Sequence, residues 1–95
     1  MIFFNIPEAR KQLMKEGSVY TLRSSFRSIG FTQAVTGSYL KHTFLCKVNV
    51  ERLTTVKHPH DLCPYLGYSG FKDVDTWWSK ATPISRTVYR VDRND

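Results

Sequence analysis

From Leu40 to Val50 the chain alternates as a half-buried strand does. The even positions hold Leu40, His42, Phe44, Cys46, Val48 and Val50, and the odd ones Lys41, Thr43, Leu45, Lys47 and Asn49. Successive side chains of a strand point to opposite faces, so one face of this segment meets a core and the other meets water. The alternation predicts a long strand, bent partway, with Lys41 and Lys47 outward and His42 on the apolar face as a core or edge histidine. Cys46 falls on that same face and reads as a small core residue.

The segments before it supply a helix and shorter strands. Ile2 to Asn5 reads as a strand with Phe3 opposite Ile2 and Phe4. Pro7 suits a first helical turn, where a missing N–H costs nothing, and Glu8 complements the positive end of the helix dipole. Ile6, Ala9, Leu13 and Met14 form a stripe at helical spacing, and Gly17 is the natural left-handed stop, so a helix is predicted over residues 7–16. Ser18 to Arg23 reads as a strand with Tyr20 and Leu22 on one face and Val19, Thr21 and Arg23 on the other. A polar loop with Ser24, Ser25 and Arg27 follows. Phe31 to Thr36 is a further strand, and Gly37-Ser38 turns the chain.

Beyond the long strand, His58-Pro59-His60-Asp61-Leu62-Cys63-Pro64 has zinc-type side chains but no Cys-x2-Cys pair, and its prolines favour a loop with a turn of helix over Asp61–Leu66. No metal and no cofactor are expected. Asp73 is placed to cap a helix reaching about Ala81, whose Val74, Trp77, Trp78 and Ala81 recur at core spacing. Arg86 to Val91 reads as a last strand with Thr87, Tyr89 and Val91 on one face, and the residues from Asp92 to Asp95 are expected to fray.

Ninety-five residues make one domain, 1–95, with enough apolar content for a core and no run long enough to span a membrane. Met1-Ile2-Phe3-Phe4 lacks the basic start of a signal peptide, so a soluble, cytoplasmic protein without a membrane partner is expected. The formal charge is +6 and is uneven: no acidic residue stands between Glu16 and Glu51, while Arg23, Arg27, Lys41 and Lys47 all do. That sign favours a polyanion such as nucleic acid, or an acidic protein partner. Thr21, Arg23, Ser24, Ser25 and Arg27 cluster the hydroxyl and guanidinium donors that phosphates and base edges accept. There is no Gly-rich phosphate loop and no Ser/His/Asp constellation.

Four pieces occur in a telling order. A short helix closes into Gly17-Ser18-Val19-Tyr20-Thr21-Leu22-Arg23. The strand with Cys46-Lys47-Val48-Asn49-Val50 follows, then Gly70-Phe71-Lys72-Asp73-Val74-Asp75-Thr76-Trp77-Trp78, then the closing strand Tyr89-Arg90-Val91. Over roughly residues 6–91 this order resembles the ASCH family, within the larger group of PUA-like RNA-binding barrels. The resemblance implies an α+β fold: a small, mostly antiparallel β-barrel with two or three short flanking helices and a cleft beside the signature strand. It also implies an RNA-linked function. Some bacterial relatives are amidohydrolases acting on acetylated cytidine through a lysine, a threonine and a glutamate. Thr21 matches the threonine, but the lysine slot holds Val19 or Ser18, Lys15 is the nearest substitute, and no glutamate occurs after Glu51.

The expected function is therefore a non-catalytic nucleic-acid-binding module, for RNA ahead of DNA. Arg23 and Arg27 would hold phosphate or a base edge, with Thr21, Ser24 and Ser25 as hydroxyl partners. Lys41 and Lys47 would extend the positive surface, and Tyr39 and Tyr68 would serve as stacking rings. The alternative is a small amidohydrolase acting on a modified nucleoside through Thr21 and Lys15.

Overall fold

Helix α1 (Pro7–Glu16) starts on Pro7 and stops at Gly17, whose N–H reaches the Leu13 carbonyl. The computed structural model describes residues 1–24 and 29–95. Before α1 lies β1 (Ile2–Phe3); after it come β2 (Ser18–Arg23), β3 (Gly30–Gly37) and β4 (His42–Thr55). A 3₁₀ segment (Pro59–Tyr68), α2 (Val74–Lys80) and β5 (Thr87–Arg93) complete the order.

The strands form one sheet in the order β1-β3-β4-β5-β2. Every pairing is antiparallel except that of β1 with β3, which is parallel. The sheet curls into a half-barrel, so the expected antiparallel barrel is corrected to an open, mixed sheet. The physical reason lies at the two edges. β1 contributes only two residues, too few to pair on both sides, and Ala9 and Leu13 of α1 enter the gap instead, packing with Ile2, Phe4, Val19, Val48 and Val91.

The other face of the sheet carries a second core, the outer one. Leu22 of β2 and Val88 of β5 pack there with Val56, Leu62, Phe71 and Trp77, under the 3₁₀ segment and α2. Strand β2 is thus covered on both sides. Its Val19 belongs to the inner core and Tyr20 and Leu22 to the outer one, as the alternation requires.

In β4 the register shifts twice, once against β3 and once against β5 between Arg52 and Thr54. Cys46 pairs with Ala34, yet Phe44 pairs with the next residue, Val35. Leu45 is therefore the extra residue of a β-bulge, and a bulge turns the pleat over. Cys46, Val48 and Val50 go to the inner core, while Phe44 stays half exposed. His42, expected on the apolar face, is exposed; it meets Phe3 edge-on at 6.4 Å and its Nδ1 donates to the Tyr39 carbonyl at 3.2 Å. The strand also runs on to Thr55, beyond the expected end at Val50.

The C-terminal residues are pinned rather than frayed. The Arg93 N–H donates to the Gly17 carbonyl and the Asn94 N–H to the Lys47 carbonyl, both at 2.8 Å. The Arg93 guanidinium donates to the Met14 carbonyl at 3.2 Å, placing a cation at the negative end of α1.

Two carboxylates organise the connections. Asp61 accepts from the N–H groups of Lys57 and His58, each at 3.1 Å, and so starts the 3₁₀ segment. Asp73 caps α2 by accepting from the Thr76 N–H at 2.8 Å. These backbone donors hold both carboxyls below their ordinary value of 3.8. A lowered folded-state value stabilises the fold above the ordinary value and is lost as pH falls through the lowered one. The urea midpoint is therefore expected to fall below about pH 4. Asp73→Asn, which keeps a capping oxygen without the charge, should show a shallower fall; an identical pH profile would refute the contribution of Asp73.

Cys46 is buried, Cys63 is exposed, and neither is bridged. Burial pushes the Cys46 thiol up from its ordinary value.

Candidate functional site

The two edge strands leave a seam, and a cavity of about 370 Å³ lies along it. Phe3 of β1 and Phe4 just after it contribute one side and Thr21, Leu22 and Arg23 of β2 the other. Arg23 bridges the seam: its Nε donates to Thr21 Oγ1 at 3.1 Å, and its guanidinium carbon lies 4.8 Å from the centre of the Phe4 ring. Ser24 follows at the rim, its carbonyl held by the hydroxyl of the buried Tyr89 at 2.7 Å. This strand-to-strand bond fixes where the chain leaves β2.

The third wall comes from far away in sequence. Lys80, in the last turn of α2, and Thr82 and Ser85 beyond it also line the seam. The loop is held by Arg86, which donates to the Thr82 and Ser85 carbonyls at 3.1 and 2.9 Å while its guanidinium lies 3.8 Å from the Trp78 ring centre. Among the described residues the seam is lined by two cations, Arg23 and Lys80, several hydroxyls and no carboxylate. Such a cleft offers charge-assisted donors to an anion and an aromatic wall to the group that carries it.

The expected site residues are only partly brought together. Thr21, Arg23 and Ser24 share the seam. Thr21 is buried at 5 % exposure, so the face carrying it is an inner wall rather than an open strand surface. Ser25 and Arg27 lie outside the described residues. Tyr39 and Lys41 stand in the β3–β4 loop, and Lys47 projects from the outer side of β4, opposite the inward Cys46 and Val48. Tyr68 lines a smaller cavity of about 230 Å³ with Glu16, Ser18, Tyr20 and Arg90. Lys15, exposed in the last turn of α1, does not line the seam beside Thr21.

No protein-family model, curated protein or solved structure matches this chain. The geometry itself must rank the two cavities. The smaller one is lined by an acidic residue, Glu16, whereas the described lining of the seam has none. An anion therefore finds the better electrostatic setting in the seam.

His58, His60 and Asp61 hold no third-ligand geometry: among the described residues no group of three His, Cys, Asp or Glu side chains is arranged for a metal. The two imidazoles instead stack at 5.4 Å. Among the described residues no helix is long and apolar enough to cross a membrane.

Lys80, Thr82 and Ser85 were not legible as site residues. Lys80 reads as a dipole-complementing lysine near a helix end. Nothing in its spacing ties it to Arg23, and only the tertiary fold brings the two to one cleft.

Proposed function

We propose that the chain is a non-catalytic nucleic-acid-binding module, for RNA ahead of DNA, and that the seam is its site. The observation that carries this is the pairing of Arg23 and Lys80 across a cleft with no carboxylate among its described lining residues. Phosphate contacts supply most of the sequence-independent affinity for nucleic acids, and arginine and lysine make them. A cavity of about 370 Å³ is in the small-ligand range of roughly 300–1,000 Å³, so it takes a nucleotide unit of a single strand rather than the side of a duplex. The ASCH-like order of elements in the sequence supports the same reading and the preference for RNA.

Titration with single-stranded RNA and DNA at several salt concentrations tests it. Affinity is expected to fall as salt rises, and Lys80→Gln should flatten the logarithmic slope by about 0.7, the share of one phosphate contact on a single strand. Lys80 is the better probe because Arg23 also holds Thr21 and Phe4 in the fold. Micromolar protein without any salt-sensitive binding would overturn the proposal. So would turnover of acetylated cytidine that Thr21→Val abolishes, or a complex with an acidic protein that survives nuclease.

A further inference from the structure

The loop between β3 and β4 exposes two large side chains side by side. Tyr39 is 75 % and Leu40 94 % accessible, at an apex where glycine, asparagine or serine would satisfy the turn without exposing apolar surface. Single exposed apolar residues are common, but these are adjacent, and Phe44 of β4 is half exposed as well.

The loop is also held stiffly. The Ser38 N–H donates to the Lys41 carbonyl at 2.8 Å, and the Lys41 N–H to the Ser38 carbonyl at 3.2 Å. Ser38 Oγ accepts from the Lys41 N–H at 3.2 Å, and His42 Nδ1 donates to the Tyr39 carbonyl. The Lys41 carbonyl occupies the space that a Cβ on Gly37 would fill, so the close approach at the loop's foot requires glycine. These bonds fix the backbone that presents Tyr39 and Leu40 at the apex.

The foot of the loop is fixed to the seam. Asn5, which lines the seam, donates through Nδ2 to the Gly37 carbonyl and accepts through Oδ1 from its N–H, both at 2.8 Å. From Gly17 to Val50 the sequence has no carboxylate, and Lys41 stands at the loop itself. An apolar tip with Lys41 beside it, in a loop that carries no acid, complements a polyanion with flat apolar faces between its charges. Stacked bases flanked by phosphates have that composition, and inserted leucines unstack base steps in other nucleic-acid complexes.

We infer that the Tyr39–Leu40 tip is a wedge that enters a base step where duplex RNA gives way to a single strand. The ligand is then a duplex–single-strand junction, with the wedge at the last base pair and the released strand leading to the seam. This rests on the nucleic-acid reading of the seam.

The test uses the whole protein and an RNA stem with a single-stranded 3′ tail, carrying 2-aminopurine in the terminal base pair. Binding should raise the 2-aminopurine fluorescence, and the junction should bind about tenfold more tightly than the tail alone, as one added base stack supplies. The double variant Tyr39→Ser, Leu40→Ser should keep its circular dichroism and its affinity for the tail but lose both effects. Lys80→Gln should weaken junction and tail alike and leave their ratio unchanged. Fluorescence that still rises with the double variant overturns the wedge, and so does equal binding of junction and tail with flat fluorescence, the result expected if the tip serves a protein pocket. Both outcomes leave the seam reading standing; failure to bind either RNA removes both.

Discussion

Trp77→Ala is expected to destabilise the protein by about 3–5 kcal/mol, the usual cost of emptying a buried tryptophan site. The ring is 3 % exposed, lies nearly parallel to Phe71 at 6.2 Å between centres, and packs in the outer core with Leu22, Leu62 and Val88. Those neighbours come from the 3₁₀ segment and two strands, so the cavity cannot close by moving a single side chain. Against a total stability of about 5–15 kcal/mol, this one change removes a large share. A urea series should show the midpoint falling with little change in slope. Trp78→Ala is the comparison: that ring is only partly buried, and its main partner is Arg86, so the loss should be nearer ~1–2 kcal/mol. Equal losses for the two tryptophans would mean that burial does not separate their roles.

The sequence treats these two tryptophans alike, and only the structure separates the buried ring from the partly buried one. The spacing of Val74, Trp77, Trp78 and Ala81 places all four on one side of a short helix, and all four do join the outer core. The capping aspartate, the proline start of α1 and the strand Ser18–Arg23 were legible for the same reason: each depends on residues only a few positions apart. The faces of β5 were legible too, with Thr87, Tyr89 and Val91 buried toward the inside.

What was hidden depends on distant pairing. The bulge at Leu45 is set by how β4 meets β3, and no local signal distinguishes Phe44 from Cys46 as apolar residues on an alternating strand. The pinning of Arg93 and Asn94 needs partners at Met14, Gly17 and Lys47. Openness of the barrel likewise follows from the shortness of β1 and from the parallel sense of its pairing.

The candidate site follows the same rule. Thr21, Arg23 and Ser24 are near neighbours in sequence, and they do meet at the seam. Lys47 alternates to the side opposite Cys46 and Val48, which fill the core, so its charge faces away from Thr21. Tyr68 belongs to the cavity that contains Glu16. Net charge reports an excess of cations without saying which of them converge, and convergence is a property of the sheet's curl.

Gly70→Ala is expected to cost about 2–5 kcal/mol, combining a left-handed alanine with overpacking against a neighbouring helix. Gly70 has φ +87°, and a Cβ there would run into the backbone carbonyl of Glu8 and come within 3.1 Å of Gln12 Cβ. A carbonyl inside α1 cannot swing away as a side chain would; the helix itself has to shift. That helix seats Ala9 and Leu13 in the inner core, so moving it loosens the packing that fills the open side of the half-barrel. Movement of the connection is opposed as well, because Ser69 is fully buried, donates to the Leu66 carbonyl at 2.8 Å and accepts from the Phe71 N–H at 3.0 Å. Gly67→Ala provides the control in the adjoining 3₁₀ segment: its added Cβ meets nothing within 4 Å and its φ is outside the left-handed region. Urea midpoints should therefore drop sharply for Gly70→Ala and hold or rise slightly for Gly67→Ala, whose unfolded chain loses freedom worth about 0.4–1 kcal/mol. Similar midpoints for the two variants would mean that α1 does not press against the Ser69–Phe71 connection, and the account of how the half-barrel is plugged would fail with it.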